Sequence, residues 1–156
     1  MAAMLLDVPF SAVSLSAATL KTVVGVKAAA NVNLKVLEAA CSFNGADSTA
    51  VPVLVGTGVS NTFATNSPGT NSTSITPIKR DQHYTETFQG TAAHTWTAEP
   101  TVKTNARALY VAAYNGLYHN IYPFSSPFIC KGGNGFSVEM TAPATVLTSG
   151  HLTCEE

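Results

Sequence analysis

Charge is what this chain has least of. Only 11% of its 156 residues are Asp, Glu, Lys or Arg, against about a quarter in an average soluble domain. The eight basic residues are scattered and the formal net charge is -1. Only Lys79-Arg80 are adjacent, and Asp81 follows them at once. A nucleic-acid binder presents a basic stripe or patch, so direct binding of DNA or RNA is not expected. A surface so poor in charge favours assembly with other protein.

Cysteine is sparse as well. Cys41, Cys130 and Cys154 form an odd set with no Cys-x-x-Cys pair, and apolar or strand-like residues flank each one. Buried, reduced thiols are the simplest reading. A Cys130–Cys154 bridge remains open, though no compartment signal speaks for it. Long apolar runs are missing: nothing approaches the roughly 18 residues of a membrane span. The start, MAAMLLDVPF, has no basic residue before its short apolar piece, and Asp7 interrupts it. Neither a membrane segment nor a secretory signal is expected, which places synthesis in the cytoplasm.

Signals for chemistry are equally thin. His83, His94, His119 and His151 are too far apart for the close pairs of a structural zinc site. There is no Gly-x-Ser-x-Gly elbow and no phosphate-binding loop. A carboxylate pair for glycoside hydrolysis would have to come from Asp47, Asp81, Glu86, Glu99 and Glu139, several of which lie in apparent turns. The expectation is a protein with no cofactor, no metal and no enzymatic activity.

What the chain does contain is strand grammar. From Val32, apolar residues alternate at Val32, Leu34 and Val36, then continue at Leu37, Ala39, Cys41 and Phe43 with the opposite parity. A period of two marks a half-buried strand. A single slip at Val36-Leu37 predicts a β-bulge, because one extra residue restores the buried face. Asn44-Gly45 stops the run. Further strands are expected over Leu20–Val26, with Gly25 as a bulge, and over Val51–Val55, where Pro52 marks an edge or a start. Others are expected at His94–Ala98, Ala108–Tyr114, Pro127–Cys130, Phe136–Thr141 and Val146–Cys154. Lys131-Gly132-Gly133-Asn134-Gly135 is a hairpin signal between two of them. No segment carries a helical period. Roughly eight strands with turns between them predict an all-β antiparallel sandwich of jelly-roll type. Residues 1–19 are expected to form an N-terminal arm or an edge strand. Residues 20–156 are expected to make a single domain with a long polar loop at 56–76.

One aromatic cluster stands out, at Tyr114, Tyr118, Tyr122, Phe124 and Phe128, with His119 and Asn120 among them. Three uses fit it: a loop packed over one end of the sandwich, a protein interface, or a sugar site built on ring stacking. Tyr114, Tyr118, Tyr122 and Phe124 are the candidate interface residues.

Short segments in order carry a resemblance over residues 20–156. They are Lys35-Val36-Leu37-Glu38, Phe43-Asn44-Gly45, Ala50-Val51-Pro52-Val53, Thr76-Pro77-Ile78-Lys79, Ala93-His94-Thr95 and Ala98-Glu99-Pro100-Thr101. Tyr122-Pro123-Phe124, Glu139-Met140-Thr141-Ala142-Pro143-Ala144 and the acidic end Glu155-Glu156 complete the series. In these the chain resembles small β-sandwich virion proteins of tailed bacteriophages. The resemblance implies a structural role on the capsid surface as a decoration (cement) protein. Its partners would be the major capsid protein and further copies of itself, most simply as a homotrimer. It brings no catalytic residues. The alternative is a tail or head-fibre module that binds a host-surface glycan through its aromatic loop.

Overall fold

The computed structural model describes residues 3–45, 52–58 and 60–156. In chain order its strands are β1 (Leu5–Leu15), β2 (Leu20–Lys27), β3 (Leu34–Asn44), β4 (Val53–Thr57) and β5 (Ser60–Asn61). Next come β6 (Thr73–Ile75), β7 (Ile78–Lys79), β8 (Thr91–His94), β9 (Lys103–Thr104) and β10 (Arg107–Val111). The last four are β11 (Tyr114–Ile121), β12 (Phe128–Cys130), β13 (Gly135–Thr141) and β14 (Val146–Glu155). Among the described residues there is no helix.

The chain is an all-β antiparallel sandwich. One sheet runs β11-β3-β14-β1-β7, with β12 also on β3, and the other runs β10-β4-β13-β2-β8-β6. The fourteen strands among the described residues exceed the eight expected. Eight of them have five to eleven residues. Those eight pair as a long hairpin rolled up: β1 with β14, β2 with β13, β3 with β11, β4 with β10. That path is the jelly roll. The other six have two to four residues and sit at edges or over a face.

The alternation in β3 becomes packing as the sequence implies. Leu34, Val36, Ala39, Cys41 and Phe43 are buried in the interior. Cys154 of β14 lies opposite Val36, but its neighbour Thr153 lies opposite Glu38, so Leu37 is the extra residue of a bulge. The segment expected to be an arm or an edge strand is built into the first sheet. Leu6, Val8, Phe10, Val13 and Leu15 of β1 enter the core, and β1 pairs with β14 along most of its length.

Several expectations change. Gly25 is not the bulge of β2, since the shift against β13 falls at Val23, between the pairs Val138–Val24 and Glu139–Thr22. The Lys131–Gly135 segment is a turn, with the Asn134 amide donating to the Lys131 carbonyl at 2.9 Å, yet it closes no hairpin. It carries the chain from β12, which pairs with β3, to β13 in the opposite sheet. The run Ala108–Tyr114 is two strands: β10 ends at Val111 and the chain turns through Ala112-Ala113 into β11 in the other sheet. Gly116 lies inside β11, where a Cβ would stand 1.8 Å from the Ala112 carbonyl oxygen. The strand expected at His94–Ala98 lies earlier, at β8, because Thr95 takes a left-handed conformation (φ 51°) and turns the chain away. Asp47 and Val51 lie outside the described residues.

The polar stretch 56–76 finishes β4, supplies β5 and β6, and helps form a partial third layer on the second sheet. There Phe63, Ala93 and Trp96 make a small buried cluster of their own. The Trp96 indole N–H donates to the Asn66 carbonyl at 2.9 Å. A Cβ on Gly25 would meet the Trp96 ring at 3.0 Å, so this glycine makes room for the ring.

Candidate interface at an open edge of the sandwich

The two sides of the sandwich are finished differently. On one side β7 extends β1, while β8 and β6 extend β2. On the other, among the described residues, no strand adds to β10 or to the β11–β12 rim of the first sheet. Free edges present unpaired backbone donors and acceptors, and proteins normally guard them with charge, proline or a covering segment.

Register tells which side chains of the rim point out. In β3, Cys41 and Phe43 face the core, so Asn44, Ser42, Ala40 and Glu38 face away from it. Opposite these lie Tyr114, Leu117, His119 and Ile121 of β11, and Ile129 of β12 lies opposite Lys35. Leu117 is 68% exposed, Ile121 63% and Phe124 72%. Leu109 and Tyr110 of β10 stand across a groove of about 490 Å³ that they share with Leu117 and His119. At this groove Arg107 of β10 donates to the Asn120 side-chain oxygen of β11 at 2.5 Å, tying the two sheet edges together. Among the described residues, seven of the ten large apolar side chains left exposed lie between Leu109 and Ile129.

The four candidate interface residues divide into two pairs. Tyr118 and Tyr122 take the inward parity of β11 and are buried. The Tyr118 hydroxyl shares a 2.6 Å hydrogen bond with Thr57. The Tyr122 ring meets Phe128 and Phe136 edge-on, at 6.2 and 5.9 Å between centroids, and carries the Arg107 guanidinium 4.9 Å above it. Of the rings in the aromatic cluster, these two are therefore turned away from any surface ligand. Tyr114 and Phe124 remain exposed, one at each side of the Leu117–Ile121 stripe, and the Lys35 ammonium lies 6.0 Å from the Phe124 ring. The sequence reading passed over Leu117, Ile121, Ile129, Leu109 and Tyr110. Its missed signal was the alternation Leu117, His119, Ile121 against Tyr118, Asn120, Tyr122.

Next to the rim, the outer face of the first sheet carries an ionic network. Arg80 grips both oxygens of Asp7, at 2.8 and 2.9 Å, and also donates to Thr153, whose hydroxyl donates to Asp7 at 2.8 Å. Glu38 Oε1 receives His119 Nε2 at 2.8 Å and His151 Nε2 at 3.4 Å. Burial alone would raise the Asp7 and Glu38 carboxyls. The hydrogen bonds and charge of Arg80, with Thr153 and His151, outweigh it at Asp7, and His119 and His151 outweigh it at Glu38; both carboxyls sit below their usual range. His119 and His151 thus converge through the fold although sequence spacing separates them. Arg80 lies 3.9 Å from the same carboxylate, a position that opposes a bound cation. Among the described residues no group of His, Cys, Asp and Glu is arranged to hold a metal.

A second ionic cluster lies on the covered sheet. Lys103 meets Glu139 at 2.8 Å and Glu99 at 3.9 Å, and Lys21 meets Glu99 at 3.8 Å. Glu99 also accepts the Thr22 amide at 2.7 Å. Two carboxylates are together here, but around a lysine, and Glu139 is only 5% exposed. Their geometry pins the covering layer to β13 and β2.

Comparison with known proteins finds no matching family model, no matching curated protein and no matching solved structure.

Proposed function

We propose that this chain is a structural protein of a tailed-phage virion, a capsid decoration protein that binds the major capsid protein and stabilises the shell. The reading starts from the resemblance in the sequence. The observation that carries it further is the asymmetry of the sandwich. The second sheet has a third layer pinned on it by Trp96 and by the Lys103–Glu139 pair. The first sheet keeps a bare outer face and an apolar rim. One side of the molecule is finished, and the other is left for contact.

A decoration protein needs a rigid body and a surface that gains from repetition. Symmetry copies a modest contact many times over a shell, so avidity replaces a single tight interface. The outer face of β3, β14 and β1, with Asp7, Glu38 and Arg80 fixed in position, suits a polar contact with the shell. Prepaid side-chain order lowers the cost of binding.

The test is cosedimentation of the purified chain with shells of the phage that encodes it, prepared without the chain. Saturable binding, at a copy number commensurate with the shell protein, is expected. No binding, or native particles that hold far fewer copies than shell subunits, overturns the reading.

A further inference from the structure

We infer that β11 is a homotypic docking strand: two copies of this chain pair β11 against β11, antiparallel about a two-fold axis, and join their first sheets into one. Residues 108–130 contain no Asp, Glu, Lys or Arg, so the rim lacks the charges with which free edges are usually protected. An exposed, uncharged edge of this kind is open to pairing. Its sequence is complementary to itself. With the axis at His119, Leu117 of one copy lies opposite Ile121 of the other, and the reverse. Both side chains stand on the same outward face, more than 60% exposed. His119 would sit on the axis, and Glu38 of its own chain already holds it at 2.8 Å.

The available area fits a second copy. Tyr114, Leu117, Ile121, Phe124 and Ile129 of the β11–β12 rim, at about 200 Å² each when fully exposed, offer about 600 Å², and Leu109 and Tyr110 of neighbouring β10 bring the total to about 850 Å². A stable protein pair buries about 800 Å² on each partner. Leu117 against Ile121 brings no charges together, each His119 on the axis is paired with its own Glu38, and the ladder supplies backbone hydrogen bonds at the joint. The inference does not depend on where the protein acts.

Sedimentation velocity of the purified chain at micromolar concentration is expected to give a dimer. Leu117→Lys and Ile121→Lys change exposed positions only. Each is expected to weaken association at least roughly 100-fold, because it buries an unpaired ammonium against an apolar side chain of the other copy, with the circular dichroism spectrum unchanged. The register has its own test. His119→Cys sets two thiols opposite each other across the axis, within disulfide reach, so mild oxidation is expected to give a covalent dimer, while Thr97→Cys does not. A monomeric wild type, a trimer, or a dimer indifferent to the lysine variants and not cross-linked at 119 overturns the pairing. A monomer that still sediments with shells overturns it too, and leaves the decoration reading intact.

Discussion

Burial decides what the three thiols can do. Cys41 and Cys130 are pushed up to about 12 by burial, and Cys154 is pushed up further, with nearby Cys130 adding to the effect. Thiols rather than thiolates fill these sites at neutral pH, and the thiolate is the reactive form. The native protein is therefore expected to show no rapid reaction with a disulfide reagent, and the unfolded chain to show three reactive thiols. Fast native labelling would contradict the burial. This much was legible, because Cys41 falls on the inward parity of β3 and Cys130 and Cys154 each end a strand-like run. The Asp7–Arg80–Thr153 contact was not legible, since its members come from opposite ends of the chain and meet only when β1, β14 and the β7 edge are assembled. Asp7 has its carboxyl lowered in the folded state, so its contribution is present above the unfolded value near pH 4 and is lost as pH falls through the folded value. Asp7→Asn is expected to cost about 1 kcal/mol at pH 7, the upper end for a partly exposed pair held bidentately. The difference from wild type should shrink as pH falls below about 4 in urea titrations. A gap that persists there would place the loss elsewhere.

Strands were read well where one face is buried, and turns were read for reversal but not for destination. The bulge at Leu37 was visible because the parity slip in β3 is a property of side chains alone. The Lys131–Gly135 turn misled because glycine and asparagine report that the chain bends, not which sheet it enters next. In Ala108–Tyr114 an unbroken apolar run hid a corner, since Ala112 and Ala113 suit either conformation. The bulge yields a sharp comparison. Deleting Leu37 removes the unpaired residue and keeps Leu34, Val36, Ala39, Cys41 and Phe43 in phase. Deleting Ala40 either turns Cys41 and Phe43 outward or forces Glu38 inward. Thermal unfolding should show a folded, moderately destabilised chain for the first deletion and no cooperative transition for the second. Equal outcomes would mean that the bulge does not set the register. The third layer makes a separate prediction. Trp96→Ala empties the site over Gly25 and Ala93 and is expected to cost about 3 kcal/mol in urea unfolding. A loss below about 1 kcal/mol, the ordinary range for surface positions, would mean that the layer is only draped over the sheet.

For the molecule as a whole, eight long strands wound as a folded-over hairpin account for the core, and six short ones decide which surfaces are closed. Sequence pattern located six of the first set, β2, β3, β4, β10, β13 and β14, but offered β1 only as an arm or edge strand and β11 only as an aromatic cluster. Of the second set it located β12 and placed β8 too late; the other four gave no signal, because strands of two to four residues are fixed by tertiary pairing and carry little period of their own. The proposed contact surface follows from that difference. Short strands and a pinned layer close one side and one face, while β11, with no charge along it, stays open beside a bare sheet. The proposed place for such a body is the outside of a capsid, where neighbouring subunits cover what the fold leaves uncovered. Electron cryomicroscopy of the intact particle of the encoding phage tests this directly. The account predicts a two-sheet density at positions repeating with the shell symmetry, with the β3–β14 face against the major capsid protein. Particles without that density, or with it confined to a tail fibre, would contradict it.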